Sequence, residues 1–242
     1  MNETLESLYN RKSVRAYEER SIPDECKEAI LIAAMSAPTA GNQQLYTIID
    51  ITDQDLKDKL AISCDNQPFI AKAPMILIFC ADVQKWIDVF KAGGANPRKP
   101  GVGDLMLAVQ DTTIAAQNAV VAAQSLGIGS CYIGDIMEQC KRHRELLHLP
   151  EYVFPACMLV FGYPTKQQLE RKKPQRCRLA DIVCKNYYTE KNEDQLRRMF
   201  DKETVNRSFE QWCQAFCQRK YNSDFSKEMS RSVSEYLKAF SE

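Results

Sequence analysis

Near the start of the chain, "NRKSVRAY" sets three cations and a hydroxyl within five positions: Arg11, Lys12, Ser13 and Arg15. Two guanidinium forks, a compact ammonium and a hydroxyl are the donor set that suits a phosphate dianion, because charge-assisted hydrogen bonds to its oxygens are short and strong. A second basic group, Arg176 and Arg178 in "QRCR", is placed to close on the same anion from far along the chain. On charge alone, solvated basic loops are the better reading of both stretches.

Reactive side chains are scarce elsewhere. "GIGSCYIG", residues 127–134, looks like a glycine-rich phosphate loop. Its spacing is GxGxxxxG, however, and it follows a helical segment, whereas a dinucleotide fingerprint follows a strand. No GxxxxGK[ST], GxSxG or HExxH occurs. The two histidines, His143 and His148, sit close together in a basic stretch, which argues against a hydrolytic triad. Cys213 and Cys217 lie one helical turn apart and no CxxC occurs, so no metal site is expected. A chain with anion-binding groups and no obvious nucleophile takes its chemistry from a cofactor.

The elements that must hold these groups are those of an ordinary globular domain. The chain has 242 residues, 45% of them hydrophobic, and its 32 Lys and Arg balance 32 Asp and Glu. No global field draws it to nucleic acid or to an anionic membrane. The longest apolar run, "APMILIFCA", is too short to span a bilayer, and "MNETLESLYN" is too polar and acidic for a signal peptide, so a cytoplasmic protein is expected. Ten cysteines in a chain of this length are read as reduced thiols.

Helical and strand signals alternate without repeats. "SIPDECKEAILIAAMSA" predicts a helix of three to four turns with Ser21 as N-cap and Pro23 in its first turn. "LYTIIDIT", "MILIFCA" and "YVFPACMLVFGYP" predict core strands. Residues 104–127 predict a long Ala-rich helix stopped by Gly127, apolar on more than one face and equally suited to a core or to a subunit interface. Residues 91–104 and 163–178 read as loops, and the polar segments after Asn186 as amphipathic helices laid on the outside.

The order of these motifs carries more than any one of them. "NRKSVRAY", "SAPTAGNQQ", "NQPFIAKAPMILIFCAD", the Ala-rich helix running into "SLGIGSCYIG", and "FGYP" with a basic "QRCR" resemble the FMN-dependent nitroreductase family over about residues 5–188. The resemblance is closest to the branch of NADPH-dependent flavin reductases and oxygen-insensitive nitroreductases. It implies an α+β fold with a central, mostly antiparallel sheet flanked by helices, in an intertwined homodimer. The whole chain is then a single FMN-binding domain, with a helical C-terminal extension over about residues 189–242.

The resemblance also assigns residues. Arg11, Lys12 and Ser13 match the phosphate motif, and Arg15 matches a cation at the pyrimidine edge of the flavin. Pro38, Thr39, Ala40 and Asn42 match a loop that touches the flavin of the neighbouring subunit. Gln67 matches a hydrogen-bonding partner of the ring. Ile133, Gly134 and Asp135 match the turn whose backbone approaches N5, and Arg176 and Arg178 match a second phosphate clamp. No side chain is assigned a catalytic role.

Two departures stand out: Gly134-Asp135 replaces the family's usual Glu-Gly or Gly-Gly, and none of Arg197, Arg198, Lys202 and Arg207 aligns as the binder of an NADPH 2′-phosphate. The implied activity is ping-pong hydride transfer from NADPH or NADH, by way of flavin N5, to a small acceptor: a quinone, a nitroaromatic or free flavin. Residues 91–104, with Gly93, Gly94, Gly101 and Gly103, suit a lid over the site or a surface turn equally. A dehalogenase or flavin-fragmenting enzyme on the same fold, or a non-catalytic flavin-binding redox sensor, are the alternatives.

Overall fold

A computed structural model describes residues 2–201 and 206–241. It separates into two compact units, one running to Arg171 and resuming at Met229, the other Lys172–Glu228. The resemblance, by contrast, draws its own line between core and extension near residue 188.

In the first unit the helices are α1 (Glu3–Asn10), α2 (Asp24–Met35), α3 (Gln54–Ser63), α4 (Pro68–Ala71), α5 (Gln84–Ala92), α6 (Val102–Ser125), α7 (Cys140–Leu147) and α8 (Lys166–Glu170). The strands are β1 (Tyr46–Asp50), β2 (Met75–Asp82), β3 (Gly129–Ile133) and β4 (Val153–Gly162). They form one antiparallel sheet in the order β1-β2-β4-β3. The fold is α+β. β2 and β4 are buried along their whole length, which explains their nearly continuous apolar sequence.

The two faces of the sheet are covered differently. Met75, Leu77 and Phe79 point to one side, where α2 and the alanines of α6, Ala115, Ala116 and Ala119, close the core. Ile76, Ile78 and Cys80 point to the other, against Leu60 of α3, Ile70 of α4 and Ile136. Small side chains on α6 let α2 pack closely. After α6 ends, Gly127 takes φ +73°, the left-handed turn predicted for it.

Several sequence readings are corrected. Pro23, not Ser21, occupies the N-cap of α2, and no side chain caps that helix. β3 was not among the predicted strands. The 163–178 stretch holds α8, and 91–104 is loop only between α5 and α6. The last helix, α12 (Asp224–Leu237), does not simply lie outside: its Ser232 and Tyr236, and Phe240 in the 3-10 turn after it, are buried, with the Tyr236 ring edge-on to Phe154 at 5.0 Å.

The second unit holds α9 (Leu179–Ile182), α10 (Glu193–Met199), α11 (Phe209–Lys220) and the first residues of α12. Its centre is Trp212, stacked between Phe200 and Phe216 with ring centroids 4.8 and 5.1 Å away.

Candidate functional site

The basic segment is laid against the β3 edge of the sheet. Ser13 bridges Ser130 in parallel, and Val14 N donates to Ser130 O at 2.9 Å. Further on, Tyr17 bridges Pro164 and Glu18 N donates to Tyr163 O. Two glycines permit this approach. A Cβ on Gly129 would stand 2.5 Å from Val14 Cγ2, and one on Gly162 would stand 2.5 Å from the Tyr17 ring.

Arg11, Ser13 and Arg15 converge on the thiol of Cys131 in β3. Burial raises the pKa of that thiol, and Arg15, Ser13 and Arg11 each pull it back down. Lys12 faces elsewhere: its Nζ donates to the carbonyls of Leu169 and Arg171, 2.5 Å from each. Sequence reasoning missed Arg171, whose Nη2 donates to Ser13 O at 2.6 Å and so adds a guanidinium to the cluster.

From Arg15 the neighbourhood runs round in a closed ring. Its guanidinium lies 5.8 Å from the centroid of Phe69. Two residues earlier Gln67 caps α4, and its amide donates to Cys64 O at 2.8 Å. Burial, aided by the Asp135 carboxylate, pushes the Cys64 thiol up to about 12. Asp135 sits in the 3-10 turn Gly134–Met137, which directly follows Ile133 of β3, and is four residues from Cys131. At Gly134 a Cβ would meet nothing closer than Met137 Cε at 3.9 Å, so the backbone there is approachable.

Pro38, Thr39, Ala40 and Asn42 are not part of this ring. Their loop is tied to Asp111, a buried carboxylate of α6, which accepts from the Thr39 hydroxyl, from Ala40 N at 3.0 Å and from Leu45 N at 3.3 Å. Asn42 adopts φ +57°. The loop runs into Tyr46, opposite Ala81, on the β1 edge, whereas Ser130 sits opposite Phe161, itself opposite Met75, on the β3 edge. Strand spacings put these corners roughly 14 Å apart across the sheet and roughly 20 Å apart along it. That diagonal is longer than an isoalloxazine ring.

In the second unit, Arg178 pairs with Asp181 at 3.0 Å, which holds that carboxyl below its usual range, and also donates to Arg198 O. Arg176 lines a cavity of about 340 Å³ with Arg207, Arg219, Trp212 and Phe216. Arg197 is held by Glu193 and Glu210 at 2.8 and 2.7 Å. Lys202 lies outside the described residues. The loop between α5 and α6 is fastened by Arg98 to Asp104 and by Lys99 Nζ to Ser241 O, both at 2.6 Å.

The ring fits a flavin mononucleotide on its donor set: guanidinium and hydroxyl groups at one end for a phosphate, a cation with an aromatic beside it, an amide, and an open glycine backbone. Residues 8–163 match the model of the nitroreductase family. The FMN reductase [NAD(P)H] of Bacillus subtilis is 30% identical over 98% of this chain and 91% of its own length. The oxygen-insensitive NADPH nitroreductase of Salmonella typhimurium is 32% identical over 82% of this chain and 80% of its own. The solved structure of B. megaterium NfrA2 superposes with a TM-score of 0.83 at 30% identity, covering 98% of both chains. The chain belongs to the nitroreductase family.

Proposed function

We propose that this protein is an FMN-dependent NAD(P)H oxidoreductase that works by a ping-pong cycle, taking a hydride from NADPH or NADH and passing it to a quinone, a nitroaromatic or free flavin. The observation that carries this reading is the convergence of Arg11, Ser13 and Arg15, Gln67, and Ile133 to Asp135 on one side of the sheet, in a chain whose relatives are named FMN reductase and NADPH nitroreductase. FMN, when bound, supplies a hydride acceptor and donor at N5.

The chain's residues hold and tune that group. Arg11 and Ser13 would grip the phosphate, with Lys12 as a more distant charge. Arg15 sets a positive charge at the pyrimidine edge, where negative charge collects on reduction. Gln67 orients the ring by hydrogen bonding. The approachable backbone of Gly134 and Asp135 would serve the reacting edge of the ring, with the Asp135 carboxylate in the same turn.

The working form is an intertwined homodimer. Pro38, Thr39, Ala40 and Asn42 reach a flavin only if it belongs to a second copy, because the diagonal of the sheet separates them from the phosphate corner. α6 supports this with an exposed stripe that carries no charge: Met106, Leu107, Gln110, Thr113, Ile114 and Gln117. Among the described residues no helix is long and apolar enough to cross a membrane. Ten free cysteines suit a reducing, cytoplasmic setting. The test is colour. Purified protein is expected to be yellow, to bleach anaerobically with NADPH and to recolour with a quinone, and to sediment as a dimer at nanomolar concentration. Yellow protein that neither NADPH nor NADH bleaches overturns the reading.

A further inference from the structure

Three polar side chains with no part in the proposed chemistry, Ser63, His143 and Ser232, are completely buried; Ser63 and Ser232 are bonded to one stretch of chain, residues 137–143, to which His143 itself belongs. Burying a hydroxyl or an imidazole is unfavourable unless its hydrogen bonds are met, so the purpose of these groups lies in the bonds they make.

Ser232 is the most informative. It comes from α12, 92 positions beyond Cys140, and its hydroxyl does two things at once. Oγ donates to Met137 O at 2.7 Å and accepts from Cys140 N at 2.9 Å. Met137 is the last residue of the 3-10 turn that begins at Gly134, and Cys140 is the first residue of α7. The hydroxyl therefore joins the end of the turn to the start of the helix, where the intervening backbone cannot, because Gln139 adopts φ +48°.

The opposite side of the same stretch is pinned to α3. Gln139 Nε2 donates to Ser63 O at 2.7 Å, and His143 Nε2 meets Ser63 Oγ at 2.8 Å, while Nδ1 faces the carbonyls of Ile136 and Glu138 without a well-formed bond. Ser63 adjoins Cys64, whose carbonyl takes the Gln67 amide. The turn and the ring-binding glutamine thus share one frame, which Ser232 closes from the C-terminal helix.

We propose that Ser232 is a positioning residue for the turn Ile133 to Asp135, setting the distance of its backbone from flavin N5. The inference rests on the function proposed above. Packing alone does not account for a serine here: Tyr236 and Phe240 supply the apolar contact that docks this end of the chain, and a buried hydroxyl adds specificity of geometry. Ser232 acts through Met137 and Cys140 and touches no cofactor.

The experiment compares Ser232→Ala, Ser232→Thr and Ile30→Val, the last a destabilising change in buried α2 away from the turn. In Ser232→Ala, FMN affinity and the NADPH KM are expected to stay within about twofold of wild type. The rate of anaerobic bleaching at saturating NADPH should fall at least about fivefold, and the flavin midpoint potential should shift. Ser232→Thr, which keeps the hydroxyl, should recover most of the rate, and Ile30→Val should lower Tm alone. Amide exchange across Gly134–Cys140 should quicken in Ser232→Ala only. Wild-type bleaching and exchange in Ser232→Ala, or equal slowing in Ile30→Val, overturn the proposal. Wild type that NADPH never bleaches sinks the reductase reading instead, and the exchange comparison still decides whether Ser232 orders the turn.

Discussion

Gly129→Ala tests whether the close approach of the basic segment to β3 is what builds the phosphate end of the site. Gly129 lies in a regular strand, so alanine meets no backbone penalty and the whole effect is steric. The new methyl would stand 2.5 Å from Val14 Cγ2, 2.8 Å from its Cβ and 3.1 Å from its Cγ1. A rotamer change cannot relieve a clash that includes Cβ, so the backbone of Val14 must retreat by roughly 1 Å to reach ordinary contact. Overpacking of this kind costs about 1–3 kcal/mol, readable as a drop in Tm. The retreat strains the Val14 N to Ser130 O bond and carries Arg11 and Ser13 with it. If one charge-assisted hydrogen bond to the phosphate is lost, worth about 1.5–3 kcal/mol, FMN affinity falls roughly ten- to a hundredfold. Titration by flavin fluorescence is the assay, with riboflavin, which lacks the phosphate, expected to change far less than FMN. A variant that melts early yet binds FMN as tightly as wild type refutes the phosphate assignment, and one that melts normally refutes the packing argument.

Asp111→Asn should destabilise the protein by about 1–3 kcal/mol, because a carboxylate that accepts from Thr39, Ala40 and Leu45 is replaced by a group that turns an NH2 toward some of these donors. Because its loop is proposed to serve the neighbouring flavin, FMN retention should weaken too, and unchanged FMN affinity despite the lower Tm counts against that placement. His143 governs a pH window. Burial holds its folded pKa below the ordinary 6.5, so the unfolded chain binds the extra proton first and stability drops as pH falls below about 6.5 toward the folded value. The slope is at most about 1.4 kcal/mol per pH unit. Urea unfolding between pH 5 and 7.5 should show that slope in wild type and its loss in His143→Gln, and parallel curves would contradict the burial argument.

The parts of this fold that were legible in the sequence are those that announce themselves locally. β1, β2 and β4 are β-branched or apolar runs between polar bounds, and α6 meets no breaker from Asp104 to Gly127. β3 was hidden because it is five residues long and opens on glycine, so its sequence resembles a phosphate loop more than a strand. Its register against β4 is what places Cys131 and Ile133 beside the basic segment. Asp111 had a signal that composition obscured: it is the only charge between Leu105 and Gln124. A lone carboxylate in an uncharged, small-residue helix must be answered by donors from elsewhere once that helix is buried. Arg171 and Ser232 gave no such sign, since their partners, Ser13 and the Met137–Cys140 turn, are about a hundred residues or more away in sequence.

The topology itself bears on the proposed pairing of two chains. One protomer offers the proposed phosphate grip and N5 turn at the β3 edge, and a loop held by Asp111 at the far corner of the β1 edge. A two-fold axis near the uncharged stripe of α6 would bring each β1 corner to the other chain's β3 corner, and the rotation closes with two equivalent sites. On that proposed arrangement neither site would be whole in one chain. Folding, dimer formation and flavin retention should therefore be linked through α6: a charge placed at Ile114, in the middle of the stripe, leaves the sheet's two faces packed as before. It would desolvate unfavourably at the proposed interface, so both flavin sites are expected to loosen together.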